Sequence, residues 1–212
     1  MLTGSPARRV HKEERRKTNF REVKEHEITS AKTESFQPMK LTVPDPNRDH
    51  VQGPLDAPLM LLEYGDYECP YCGQIFPIVK EIQNRLGDNL CFAFRNFPLT
   101  NIHPHAEHAA EAAEAAGAQG KFWAMHDVLF ENQDALDDEH LLQYAMALRL
   151  DARRLIAEVI AGAYAPRLRE DFMSGVRAGV NGTPTFFING ERYDGGRGLV
   201  ELLTALTPAG AH

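Results

Sequence analysis

The sequence has few of the features that mark secreted, membrane-spanning or disulfide-rich proteins. Its 212 residues include only three cysteines, too few for a disulfide framework. No apolar run approaches the ~20 residues of a membrane-spanning helix, and the first residues lack the apolar stretch of a secretory signal. With 43% hydrophobic residues, the chain can bury one sizeable core. We therefore expect a cytoplasmic protein that is not inserted into a membrane.

Excess positive charge is confined to the first 40 residues. Residues 1–40 carry 10 Lys and Arg against 6 Asp and Glu, whereas the rest of the chain carries 13 against 24. Because residues 1–45 also have few large apolar side chains, we predict a mobile, charged N-terminal extension there. Acidic residues are interleaved with the basic ones, which weakens the positive field and argues against nucleic-acid binding.

Residues 46–102 show the pattern of a strand, a helix and a second strand. After an extended, proline-containing lead-in, the apolar run LMLLEY predicts a buried strand. From Pro70, apolar residues recur at three- and four-residue spacing, which predicts a helix that ends at Gly87 and is kinked by Pro77. The run NLCFAFRNFPL then predicts a strand parallel to the first, since the helix crosses between them.

Two of the three cysteines, Cys69 and Cys72, stand at the predicted start of this helix. Their spacing suits a redox couple, a structural disulfide or half of a zinc site. Backbone N–H groups and the helix dipole favour a thiolate at the first position, and the second lies one turn further on. Zinc would require two more ligands. The third cysteine, Cys91, lies in a strand pattern, where we predict a buried and inert thiol.

The histidines offer an alternative to redox chemistry. His103, His105 and His108 lie within a six-residue segment at the predicted start of a helix. Without paired acidic ligands, this cluster is a weak signal for a metal, and we interpret it as capping and polar packing. His126 and His140 stand alone in the sequence, and we predict that they lie at the surface or at an interface.

Residues 103–179 are helical by pattern, and residues 180–212 return to strands. The run AEHAAEAAEAAGAQG has high helix propensity, and acidic residues are placed to cap the helices that follow it. Further on, TFFI and ERY flank Asn189 and Gly190, a pair typical of a two-residue hairpin turn. The segment GLVELLTALTP predicts a closing helix. We therefore predict that the helical block is inserted between two halves of one domain.

Three motifs in this order resemble the thioredoxin superfamily and, within it, the DsbA-like branch. They are EYGDYECPYC, HPHAEHAAEAAEAAGAQGKFWAMHDVLF and GTPTFFING. They are most similar to bacterial DsbA-like domains, some of which are fused to sodium/proton antiporters. The resemblance covers roughly residues 50–206 and implies an α/β, thioredoxin-like fold with an inserted all-helical subdomain.

The resemblance implies a protein thiol–disulfide oxidoreductase that needs neither a cofactor nor a metal. Cys69 corresponds to the attacking cysteine of the family, and Cys72 corresponds to the resolving cysteine. Glu63 corresponds to a buried carboxylate that relays a proton to the resolving thiol. The implied partners are protein thiol or disulfide substrates and an unidentified thiol redox donor or acceptor.

The resemblance also implies which residues contact the substrate. Pro184 corresponds to the cis-proline of the family, which aligns an extended substrate together with Thr183. Pro70 and Tyr71, between the two cysteines, complete the implied substrate-binding set.

The direction of the reaction is left open by the sequence. Glu68 places a negative charge beside Cys69 in the sequence, and we expect this charge to raise the thiol pKa of Cys69 and make the disulfide less oxidising. One alternative is a glutathione-linked enzyme, which the presence of Cys72 argues against. Another is a redox-sensing or docking module that regulates a partner such as a transporter.

Overall fold

A computed structural model describes residues 44–45 and 48–207 of the chain. The extension predicted over residues 1–45 therefore lies outside the described residues, apart from its last two. A 3-10 turn at Gly87–Asn89 connects the first helix to the third strand. The strands and helices, in chain order, are β1 (His50–Gln52), β2 (Leu59–Gly65), α1 (Pro70–Leu86), β3 (Leu90–Asn96), α2 (Ala106–Gly117), α3 (Phe122–Glu131), α4 (Asp138–Ala147), α5 (Ala152–Ala161), α6 (Ala165–Arg177), β4 (Thr185–Ile188), β5 (Glu191–Tyr193) and α7 (Leu199–Leu206).

The strands form one mixed sheet in the order β1-β3-β2-β4-β5. β2 and β3 are parallel, and β4 runs antiparallel to both β2 and β5. This confirms the predicted strand–helix–strand unit and the closing hairpin. Asn189 and Gly190 at the hairpin turn have φ angles of 50° and 83°, the positive values that a type I′ turn requires.

The edge strand β1 was not predicted. Its three residues were interpreted as part of an extended lead-in, yet they pair antiparallel with β3. Contacts distant in sequence hold the strand: the Val51 carbonyl accepts a hydrogen bond from Trp123 Nε1 at 3.2 Å, and His50 stacks on Phe122 at 3.4 Å. Three residues are too short for a recognisable periodic pattern, so only the tertiary contacts define this strand.

The core lies between the sheet and the helices that cover it. The predicted apolar stripe of α1 is buried at Cys72, Ile75, Val79 and Ile82. Every residue of β3 is buried, including Cys91, which is 1% exposed. The predicted burial of the Cys91 thiol is therefore confirmed.

Helices α2 to α6 separate β3 from β4 in the sequence, as the helical pattern predicted. Asp137 caps α4 by accepting hydrogen bonds from two backbone N–H groups, and Asp151 caps α5 in the same way with one. None of the helices in the described part of the chain combines the length and apolar character needed to cross a bilayer.

The predicted surface position of His126 is wrong. The residue is 3% exposed and lies in α3 among aromatic rings, with its ring centroid 4.6 Å from Phe94 and 5.0 Å from Phe130. Burial keeps the imidazole pKa well below its ordinary value. His126 lies on the same side of the helix as Phe122 and Phe130, and this apolar side packs against the core.

Candidate active site

The two cysteines lie where β2 passes into α1. Cys69 is the N-cap residue of α1, and Pro70 follows in the first turn, where its missing N–H leaves no hydrogen bond unmade. Both cysteines are free thiols and are nearly inaccessible, Cys69 at 3% and Cys72 at 0% exposure. The fold therefore places Cys69 where the N–H groups of a helix end converge.

The surroundings of Cys69 favour its thiolate. A hydrogen bond from Cys72 has the largest effect and lowers the pKa of the Cys69 thiol, whereas burial raises it. Interactions with Thr183 and with the backbone N–H groups of Cys72 and Tyr71 lower the pKa further. Together they lower the pKa of Cys69 to about 5. The sulfur lies 3.4 Å from the Thr183 carbonyl oxygen, to which a protonated thiol donates.

The surroundings of Cys72 have the opposite effect. Burial, the hydrogen bond that it donates to Cys69 and the charge of Glu63 raise the pKa of Cys72 well above its ordinary value. Cys69 is therefore suited to attack as a thiolate, while Cys72 holds its proton until a base removes it.

Glu63 is a buried carboxyl of β2, 3% exposed. Burial, together with the negative charge of the Cys69 thiolate, raises the pKa of Glu63 to about 8. A carboxyl group with such a pKa exchanges its proton near neutral pH, as a proton relay requires.

We expect Glu63→Gln to stabilise the reduced protein increasingly as the pH rises from 5 to 8. The pKa of Glu63 is about 8 in the folded protein and near 4.5 in the unfolded chain. Between these values ionisation of Glu63 favours the unfolded chain, so this group lowers the stability of the wild type as the pH rises, and the Gln variant lacks that contribution. The difference reaches ~4 kcal/mol at most.

Urea unfolding of both reduced proteins at pH 4.5, 6 and 8 measures this difference. Glu81→Gln, on the exposed side of α1, is the control and is expected to show no such trend. A Glu63→Gln effect that is equal at all three pH values would contradict the assignment.

The third predicted motif lies beside the cysteines. The Thr183–Pro184 peptide bond is cis, as expected from the sequence, and Pro184 is buried. The hydroxyl of Thr185 donates to the Gly182 carbonyl at 2.7 Å, which closes the loop before β4. The contact between Thr183 and Cys69 joins segments that are 114 residues apart in sequence.

Pro70 and Tyr71 are exposed beside the reactive sulfur. Tyr71 is 66% exposed, which is unusual for a large aromatic side chain. Pro70 also borders a cavity of about 360 Å³ that is lined by Glu68, His105, Gln133, Asp134, Leu136 and Asp137. Of the predicted substrate-contacting residues, Pro70 and Tyr71 thus form accessible surface beside a buried thiol, whereas Pro184 is buried.

The raised pKa of Cys69 that we expected from the charge of Glu68 is not found, since other groups lower this pKa. The Glu68 carboxylate accepts hydrogen bonds from the backbone N–H of His105 at 2.6 Å and is 3.1 Å from His105 Nδ1. These contacts direct its charge toward α2. Adjacency in sequence overstated its effect, and the pKa of Cys69 is lowered.

The three clustered histidines pair with three different acids. His103 contacts Asp66 at 2.8 Å, His105 contacts Glu68, and His108 contacts Asp138 at 2.5 Å. No group of three potential metal ligands converges within residues 44–45 and 48–207. These contacts fit the interpretation of the cluster as polar packing at the start of α2.

Three residues that hold the active-site loop were missed by the sequence analysis. Asp66 accepts hydrogen bonds from the backbone of Glu68 and Leu99, and Tyr67 hydrogen-bonds through its hydroxyl to His126 at 3.1 Å. Gln133 donates to the carbonyl groups of Tyr67 and Cys69. No local pattern marks these residues, since each acts through a partner that is distant in sequence or through the backbone.

The fold and the site together define a class of protein. The mixed sheet, the thiol pair at a helix N-terminus and the proline loop before the hairpin are those of a thioredoxin fold with a helical insert, the DsbA-like arrangement. The chain belongs to the thioredoxin family, since the sequence model of the family described as thioredoxin matches residues 46–207.

Solved structures show the same fold. Oxidised BdbD from Bacillus subtilis superposes with a TM-score of 0.68 at 24% identity, over 77% of this chain and 93% of that one. A thioredoxin-like oxidoreductase from Silicibacter pomeroyi DSS-3 superposes with a TM-score of 0.67 at 27% identity, over 76% of this chain and 91% of that one. The chain thus shares its fold with these two proteins.

Curated relatives are more similar in sequence but much longer. A Salinispora arenicola protein named Na(+)/H(+) antiporter NhaA 1 is 48% identical over 170 residues, which are 80% of this chain and 26% of that protein. A Herminiimonas arsenicoxydans protein named Na(+)/H(+) antiporter NhaA is 43% identical over 159 residues, 74% of this chain and 25% of that protein. The chain spans about a quarter of the length of these relatives.

Proposed function

We propose that this protein is a protein thiol–disulfide oxidoreductase that acts through Cys69 and Cys72. The observation that carries the proposal is the placement of two thiols at the start of α1, with Cys69 as the N-cap residue and its sulfur 3.4 Å from the Thr183 carbonyl oxygen. The lowered pKa of Cys69, about 5, and the raised pKa of Cys72 agree with this placement. Exchange through a mixed disulfide requires two groups, a thiolate that attacks the substrate and a thiol that resolves the intermediate.

The exchange proceeds in two balanced steps. In the reducing direction, the Cys69 thiolate attacks a substrate disulfide, forms a mixed disulfide and releases one substrate thiolate. Cys72 then loses its proton and attacks the Cys69 sulfur, which releases the second substrate thiolate and leaves the Cys69–Cys72 disulfide. Two electrons pass to the substrate, and the reverse sequence oxidises a substrate dithiol.

Glu63 is the proton acceptor for Cys72 in this proposal. Its buried carboxyl interacts electrostatically with both cysteines, and with a pKa of about 8 it can take up and release a proton near neutral pH. Formation of the mixed disulfide removes the thiolate charge of Cys69, which lowers the pKa of Glu63 and favours the carboxylate that accepts the proton of Cys72.

The substrate is an extended polypeptide in this proposal. Backbone groups at Thr183, beside Pro184, lie within reach of the Cys69 sulfur and can pair with a strand-like segment. The exposed Pro70 and Tyr71 lie on the same side and can contact substrate side chains. A separate thiol donor or acceptor is needed to restore the couple after each turnover.

We propose that the couple is oxidising. With a pKa of about 5, Cys69 is almost wholly thiolate at pH 7, and this stabilisation of the reduced form makes the disulfide a stronger oxidant. Equilibration with glutathione buffers, followed by thiol trapping, measures the reduction potential. We expect a value less negative than about −200 mV, whereas a value near −270 mV would show a reductant like thioredoxin.

A second candidate is favoured by the relatives that are named sodium/proton antiporters. In this alternative the domain senses redox state and regulates a transporter, and its disulfide changes a binding surface instead of turning over. Slow insulin reduction together with redox-dependent binding to an antiporter would support it. The cytoplasmic location stays a prediction in both cases.

A further inference from the structure

We propose that Gln133, a residue of the helical insert, is the positioning residue that holds Cys69 at the start of α1, so that the insert tunes the reactivity of the thiol pair. The inference rests on the proposed function, which it deepens by linking the insert to the chemistry. Gln133 does not touch the reacting sulfur atoms and acts through the backbone of Cys69.

The side chain of Gln133 connects two parts of the fold. The residue follows α3, in the segment that leads to α4, and it is 64 residues from Cys69 in sequence. Its Nε2 atom donates to the Tyr67 carbonyl at 2.8 Å and to the Cys69 carbonyl at 2.9 Å. Both amide hydrogens are therefore used on the loop that presents the reactive cysteine.

The first turn of α1 leaves space for this amide. A Cβ atom on Gly73 would lie 1.9 Å from Gln133 Oε1 and 2.6 Å from Cδ, far inside van der Waals contact. The residue after Cys72 therefore has to lack a side chain for the Gln133 amide to reach the two carbonyl groups.

The Cys69 backbone is held within its own loop by its N–H, which donates to the Asp66 carbonyl at 3.1 Å, and from the helical insert by Gln133. The Cys69 side chain makes no cap hydrogen bond, and its carbonyl accepts the first bond of α1, from Gly73 N–H at 3.1 Å. Gln133 fixes the same carbonyl from outside the helix. Without the Gln133 hydrogen bond, the N–H groups of Tyr71 and Cys72 are no longer held in position toward the Cys69 sulfur, and the thiolate is less stabilised.

The first test is Gln133→Met, which keeps the length of the side chain and removes both donors. The thiolate absorbance near 240 nm of the reduced protein, followed against pH, reports the pKa of Cys69. We expect this pKa to rise by about one unit and the equilibrium constant for oxidising glutathione to fall about tenfold. Urea unfolding, measured in parallel, separates a change of stability from a change of reactivity.

Gly73→Ala tests the same contact from the opposite side. The new methyl group displaces the Gln133 amide, while alanine is a better helix former than glycine, so we expect the variant to fold. It should shift the pKa of Cys69 in the same direction as Gln133→Met. The double variant should add little to either single change, because the contact is already lost.

The matched control is Gln119→Met. Gln119 also bonds the backbone of the insert, accepting from Asp151 N–H at 2.8 Å, but it does not contact the active-site loop. We expect it to leave the pKa of Cys69 unchanged. If Gln133→Met lowers stability while the pKa stays at the wild-type value, the residue is merely structural and the inference is overturned.

The two proposals fail in different ways. If the wild type does not exchange disulfides, the proposed function fails, and the titration of Cys69 still tests the role of Gln133. If the wild type is active and neither Gln133→Met nor Gly73→Ala moves the pKa, only the positioning role is rejected.

Discussion

Cys69→Ser is expected to abolish disulfide exchange, whereas Cys72→Ser is expected to accumulate a mixed disulfide between Cys69 and the substrate. Serine in place of Cys69 removes the thiolate, whose pKa of about 5 makes it the attacking group at neutral pH. Serine in place of Cys72 leaves that attack intact but removes the thiol that resolves the intermediate. Insulin reduction measures the first effect, and non-reducing electrophoresis with mass spectrometry detects the second.

Cys91→Ser is the matched control for both variants. Cys91 is buried in β3, and burial raises its pKa, so we expect it to take no part in exchange. The variant should therefore keep turnover close to that of the wild type, apart from any loss of stability. Turnover that persists in Cys69→Ser, or that disappears in Cys91→Ser, would contradict the assigned roles.

Asp49→Ala is expected to destabilise the protein by about 3–5 kcal/mol, because it leaves a buried guanidinium without its counter-ion. Asp49 accepts two hydrogen bonds from Arg95, at 2.7 and 2.9 Å, and the two side chains are 0% and 2% exposed. The guanidinium also donates to the Tyr64 hydroxyl at 2.9 Å and lies over the Tyr64 ring, 5.7 Å from its centroid. Urea unfolding at pH 7 measures the loss.

The pH dependence distinguishes the ion pair from simple packing. Burial alone would raise the pKa of Asp49, but the hydrogen bonds and charge of Arg95 outweigh it, so the pKa lies below its ordinary value. The stability that the pair contributes is therefore complete near neutral pH and is lost as the pH falls through the folded-state pKa. The difference between wild type and Asp49→Ala should shrink in strong acid.

Two comparisons complete this experiment. Glu81→Ala breaks an exposed pair with Arg85 on α1 and should cost less than about 1 kcal/mol. The double variant Asp49→Leu, Arg95→Met removes both charges and should recover most of the stability lost in Asp49→Ala. If Asp49→Ala costs no more than Glu81→Ala, the buried pair is not a major contributor to stability.

Local sequence patterns predicted the elements whose defining residues lie close together in the chain. The apolar runs of β2 and β3, the three- and four-residue spacing along α1 and the Asn189–Gly190 turn are each visible within about 20 residues. The same holds for the position of Cys69 at a helix N-terminus, because the helix start and the cysteine are adjacent in the chain. These features depend on backbone preference and on which face is apolar, which neighbouring residues define.

The contacts between polar side chains of distant segments are visible only in the folded protein. Gln133 reaches the Cys69 carbonyl across 64 residues, and Arg95 meets Asp49 across 46. The same is true of Glu68, whose carboxylate contacts His105, the residue before α2, at a distance of 37 residues in sequence. The periodicity of the sequence indicates which residues are buried, but it does not indicate which partner each buried polar group contacts. That choice depends on how segments distant in sequence pack together, as where Thr183 comes within 3.4 Å of the Cys69 sulfur.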